Sequence, residues 1–144
     1  MKLRFVFKCP IPSPTNRIAP RNPVMPSTAE IQPEHWAADA GAEPVAVLTI
    51  PGLLSRARVF DVDATLIVDV PSETQGAWHE LTVEIDGQRQ WSRRIPSHNP
   101  GQTDGLDYHQ RVRLEVEQGI RIRAVVKVKG SRVKSLVIEA REEA

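Results

Sequence analysis

At 144 residues and a formal net charge of +1, the chain is the size of one domain with an appendage, and its near-neutral balance argues against a dedicated nucleic-acid binder. Aromatic residues make up only 5% of the sequence, so a core must come mostly from Val, Ile and Leu, which suits a sheet. The single Cys9 rules out an intrachain disulfide and sets the expectation of a reducing, cytoplasmic setting.

Nine of the twelve prolines fall within the first 51 residues. Residues 1–44 therefore read as an extended arm. Each proline fixes its own φ and pushes the preceding residue toward extended backbone, which excludes helix over most of the stretch. Leu3 to Phe7 is apolar but short and broken by Arg4, so it does not make a leader core, and no run approaches transmembrane length. Met25 offers an alternative start, which would make residues 1–24 an extension. Ser27 to Glu30 and Pro33 to Ala40 are the only places where a brief helical turn is expected. The arm carries more apolar anchors than a linker needs, and Phe5, Phe7, Ile11, Ile18 and Trp36 are the expected contacts with a protein partner.

From residue 45 the pattern has period two, and residues 45–144 form the expected folded domain. Val45 to Ile50 is a short strand closed by Pro51-Gly52. From Arg58 to Val70, Phe60, Val62, Ala64, Leu66, Val68 and Val70 share one face and Asp61, Asp63, Thr65 and Asp69 the other. Leu81, Val83 and Ile85 alternate with polar residues from His79 to Asp86. Asp86-Gly87 is the strongest hairpin signal in the chain. A strict two-residue turn sets Trp91 opposite Thr82 on the wet face. A three-residue turn with a bulge sets it opposite Val83 in the core, and the sequence leaves both registers open.

Pro96 to Asp107 reads as a long loop, followed by a strand from Tyr108 to Val116 with Val112, Leu114 and Val116 inward. Ile120 to Val128 alternates again, and Val133 to Ala140 is the last strand. About seven strands at short spacing, with no helix between them, predict an all-β, immunoglobulin/fibronectin-like antiparallel β-sandwich carrying the proline-rich N-terminal arm. Asp104-Gly105-Leu106-Asp107-Tyr108 resembles the tyrosine corner of such folds. The Cys-Trp-Cys pattern of true immunoglobulin domains is absent, so the resemblance extends to architecture and not to a family.

Charge is unevenly spread. Residues 51–109 hold five Lys/Arg against nine Asp/Glu, and residues 110–144 hold nine against five. If the 108–116 strand pairs with the 120–128 strand, Arg111, Arg113, Arg121, Arg123, Lys127 and Lys129 share one basic face suited to an acidic protein. No aromatic interleaves on that face, so single-strand nucleic-acid stacking is unsupported.

Two further constellations carry chemistry. Trp78, Trp91 and Tyr108 offer a stacking platform for carbohydrate or another ligand. His98, Asp104, Asp107 and His109 offer imidazole and carboxylate donors for a metal, but at no defined ligand spacing. No Gly-x-Ser-x-Gly, phosphate loop or nucleophile–base motif is present, and no cofactor is implied. The expected function is therefore a non-catalytic accessory or structural subunit, with self-association left open. A ligand-binding sandwich and a metal-binding domain at the 98–109 loop are the alternatives.

Overall fold

The computed structural model describes residues 31–73 and 76–144 fully and the backbone of residues 4–8. Ile11, Ile18 and the 27–30 turn lie outside the described residues, as do the side chains of Phe5 and Phe7.

Among the described residues, nine strands build the fold: β1 (Arg4–Lys8), β2 (His35–Gly41), β3 (Val45–Ile50), β4 (Arg58–Asp69), β5 (Trp78–Ile85), β6 (Gln88–Pro96), β7 (Thr103–Leu114), β8 (Ile120–Lys129) and β9 (Arg132–Glu142). Sheet A runs β1-β2-β9-β4-β7 and sheet B runs β3-β8-β5-β6. Every ladder between these strands is antiparallel. The chain is thus all-β, a sandwich of eight antiparallel strands with β1 added at one edge.

The strand order corrects the expected immunoglobulin-like type. An immunoglobulin fold keeps its last two strands side by side in one sheet, whereas β8 and β9 here lie in opposite sheets. Successive strands from β2 onward alternate between sheets, apart from the β5–β6 hairpin. The order β2-β9-β4-β7 against β3-β8-β5-β6 is that of a double Greek key, or jelly roll. Tyr108 sits within β7 rather than at the start of a strand, and its hydroxyl donates to the Gln110 side chain at 3.0 Å, so no tyrosine corner forms.

The core follows the predicted alternation. Phe60, Val62, Ala64, Leu66 and Val68 of β4 are fully buried and meet Leu48, Ile50, Leu81, Ile122, Leu136 and Ile138 between the sheets. Two boundaries differ from expectation. Pro33 to Ala40 makes no helical turn: β2 pairs with β9 in unbroken register from His35 to Asp39 and then bulges at Ala40 before Gly41 rejoins the ladder. Ala38 and Ala40 are buried and Trp36 packs on the core, so Trp36 belongs to the sandwich and not to a free arm. β7 begins five residues earlier than expected, because Thr103 to Asp107 continue the ladder with β4. Gly105 belongs to that strand, where an added Cβ would lie 2.7 Å from the Leu66 carbonyl oxygen.

The Asp86-Gly87 turn combines the two predicted registers. Asp86 and Gly87 both have positive φ (49° and 82°), as a type I′ turn requires, and Glu84 pairs with Arg89. A bulge then inserts Gln90, so Trp91 faces Val83 on the core side.

Candidate functional site

β7 and β8 lie in different sheets, which corrects the expected basic face. Their connection crosses the sandwich and leaves Val116 exposed at 49%. Arg111 and Arg113 project from sheet A, while Arg121, Arg123, Lys127 and Lys129 project from the outer face of sheet B. There they meet new neighbours. The register sets Val47, Arg123, Glu84 and Arg89 in one rung across sheet B, then Val45, Val125, Thr82 and Ser92 in the next. Lys127, Glu80 and Arg94 form a third.

Only part of this charge is compensated. Arg123 donates to Glu84 at 3.1 Å, and Arg94 lies 3.4 Å from Glu80. Among the described residues, Arg89, Arg121, Lys127 and Lys129 have no ion pair. Val45, Val47 and Val125 are half-exposed beside them. The result is a half-exposed valine strip edged by cations that have no ion pair among the described residues.

The outer face of sheet A is organised differently. Arg111 reaches Glu143 (2.7 Å), Arg113 Glu115 (2.6 Å) and Arg141 Glu139 (2.7 Å). His109 lies 2.8 Å from Asp63 and His35 3.3 Å from Glu139. The Asp63 hydrogen bond is the main reason the His109 pKa is raised; slight burial opposes it, and the charges of Asp63 and Asp61 add to it. A shallow groove of about 340 Å³ between β4 and β9 is lined by Thr65, Ile67, Ser135 and Val137 and bordered by Asp63 and Glu139.

The remaining predicted sites come apart. Trp91 stacks on Tyr108 between the sheets, with ring centroids 4.9 Å apart and planes 19° apart. Trp78 lies on the opposite face of sheet B, where the Arg94 guanidinium covers its ring at 3.7 Å. The three rings share no surface, so the ligand platform is not assembled. The metal candidates also separate. Asp104 accepts the backbone N–H groups of His98 (3.0 Å) and Gly105 (2.8 Å). Burial pushes its pKa up, but those two N–H donors and the nearby His79 and His98 hold it below the ordinary value. His109 turns to Asp63, and Asp107 is exposed one rung away. Among the described residues no group of three or more His, Cys, Asp or Glu is placed to hold a metal ion.

Two buried polar clusters escaped the sequence reading. At one end of the sandwich, Arg58 is 3% exposed and donates to Glu34 at 3.0 Å and to the Pro51 carbonyl at 2.7 Å. Arg56 binds Glu142, whose carboxylate also takes the Glu34 N–H. Burial pushes the Glu142 carboxyl up, yet the Arg56 hydrogen bond, the Glu34 N–H and the Arg56 and Arg58 charges together hold it below the ordinary value. At the other end His79 is fully buried. Its Nδ1 lies 2.9 Å from Ser97 Oγ, which lies 2.6 Å from Ser131 Oγ, and its Nε2 is 3.3 Å from the Gly105 carbonyl. The signal for both was parity: Arg58 and His79 occupy inward positions of otherwise apolar rows.

Comparison with known proteins finds no matching family model and no matching curated protein. Among solved structures, one likeness is to dimeric latent PorU from Porphyromonas gingivalis, with a TM-score of 0.47 and 12% identity over 72% of this chain and 10% of that one. Another is to an exo-beta-1,3-galactanase from Phanerochaete chrysosporium, with a TM-score of 0.30 and 11% identity over 72% of this chain and 23% of that one. This chain therefore corresponds to a small part of either. Among the described residues, no helix is long and apolar enough to cross a membrane.

Proposed function

We propose that this protein is a non-catalytic accessory or structural subunit that docks an acidic protein surface on the outer face of sheet B. The observation that carries the reading is the set of cations without an ion pair among the described residues, Arg89, Arg121, Lys127 and Lys129, beside the half-exposed Val45, Val47 and Val125. Free cations steer an acidic partner during approach, and the valines give the contact an apolar centre. Nucleic acid fits less well, because the ring nearest this patch, Trp78, is already covered by Arg94. The proline-rich N-terminal sequence supplies a second contact in this reading, since a chain restricted by proline loses less entropy on docking.

A fluorescence titration with poly-L-glutamate tests the reading. Binding that weakens as salt rises, and is lost in the Arg121→Glu/Lys127→Glu variant, is the expected result. Absence of binding, or tighter binding of an RNA homopolymer, would overturn it.

A further inference from the structure

The pairing of β1 raises a problem of chain closure. Lys8, the last residue of β1, lies opposite His35, the first residue of β2. Residues in register across an antiparallel pair have Cα atoms about 5 Å apart. In a hairpin such strands are joined by two to five residues, and the turn fixes the register. Here the connection is residues 9–34, with seven prolines between Pro10 and Pro33. A sequence held toward extended geometry at so many positions pays more to bring its ends together than a flexible loop of equal length.

β1 also lies outside the sandwich proper. β2 faces β3 and β9 faces β8, so the four strands of sheet B are used up opposite β2, β9, β4 and β7. β1 therefore overhangs, with no strand of sheet B across from it among the described residues. The β1–β2 ladder runs Arg4 to Asp39 through Lys8 to His35 and consists of backbone bonds that any copy of the chain can supply equally well.

We propose that β1 is exchanged between two copies of this chain, each β1 completing sheet A of the other. The ladder is unchanged by the exchange. What is relieved is the closure of the 9–34 connection on its own starting point. Drawn out at about 3.1 Å per residue, that connection spans on the order of 80 Å, against a domain diameter of roughly 35 Å, so it reaches a neighbouring domain with ease. This inference does not depend on the basic face, and either can fail without the other.

The test uses the full chain with Cys9→Ser, so that engineered thiols stand alone. Val6 and Ala37 are in register. One chain carries Val6→Cys and a second, of different tag length, carries Ala37→Cys; the two are mixed, equilibrated and oxidised. Exchange predicts a mixed disulfide-linked dimer whose yield falls on dilution, and a native mass of twice the monomer by light scattering at high concentration. A double Val6→Cys/Ala37→Cys chain that cross-links within itself as a monomer at every concentration, with no mixed dimer from the separate chains, overturns the proposal. So does the absence of any cross-link, since β1 would then not occupy the β2 edge in either way.

Discussion

On sheet A, Arg111, Arg113, Arg141, His35 and His109 each lie within 3.3 Å of a carboxylate, whereas on sheet B Arg89, Arg121, Lys127 and Lys129 face solvent without one among the described residues. Both faces are built from the same kind of strand, with charged residues at alternate positions. The difference comes from neighbours. β7 lies beside β4, whose outward row carries Asp61 and Asp63, and β9 brings Glu139 to the same surface. β8 has β3 on one side, whose outward residues are Val45, Val47 and Thr49, and only Glu80 and Glu84 on the other. Alternation decides which residues face out. A carboxylate within reach, on the next strand for His109 and His35 and two residues away in sequence for Arg113 and Arg141, decides whether their charge is met.

The largest expected effect removes the buried charge pair at the end of the sandwich. Arg58→Ala leaves Glu34 buried without its main partner, and should cost about 3–5 kcal/mol in a denaturant titration. Combining it with Glu34→Leu should cost less than Arg58→Ala alone, because no charge is then stranded. Equal or additive costs would show that the pair does not act as a unit.

Acid should weaken the same region. The pKa of Glu142 is depressed in the folded state, so its contribution is present above the unfolded value of 4.5 and is lost as pH falls through the lower folded value. The denaturation midpoint of the Glu142→Gln variant should respond less to acidification below pH 4.5 than that of the parent. His109 runs the opposite way. Its pKa is raised, so its small contribution is present below 6.5 and fades as pH rises through the folded value. Asp63→Asn should bring the His109 titration, followed by NMR, back down toward 6.5. An unchanged titration would remove the charge pairing claimed for sheet A.

The smallest effect on stability belongs to sheet B. Arg121→Glu, Lys127→Glu and Lys129→Glu should each shift stability by no more than about 0.5 kcal/mol, because these side chains make no ion pair among the described residues. A larger loss would mean that the cations serve the fold rather than a partner.

The legible parts of the fold were those written as period-two rows. β3, β4, β5, β8 and β9 fall within two residues of their predicted bounds at either end. β2 was missed because an alanine-rich stretch favours helix when isolated. In the sheet, Ala38 and Ala40 are the small side chains that fit against β9, and tertiary pairing overrides propensity. The start of β7 was missed because Asp104, Gly105 and Asp107 are the residue types of a turn. The basic face was legible as four outward residues of β8 but not as a surface, because pairing partners are not written in spacing. Assigning β7 and β8 to one hairpin put Arg111 and Arg113 on the wrong sheet.

The most direct measurement compares two triple variants with the same change in net charge. One carries Arg121→Glu, Lys127→Glu and Lys129→Glu on sheet B; the other carries Arg111→Glu, Arg113→Glu and Arg141→Glu on sheet A. Affinity for poly-L-glutamate at fixed ionic strength is read for both. The account predicts a fall of about tenfold or more for the sheet B variant and a far smaller change for the sheet A variant. Equal losses in the two would show that only net charge matters, and would contradict a docking face on sheet B.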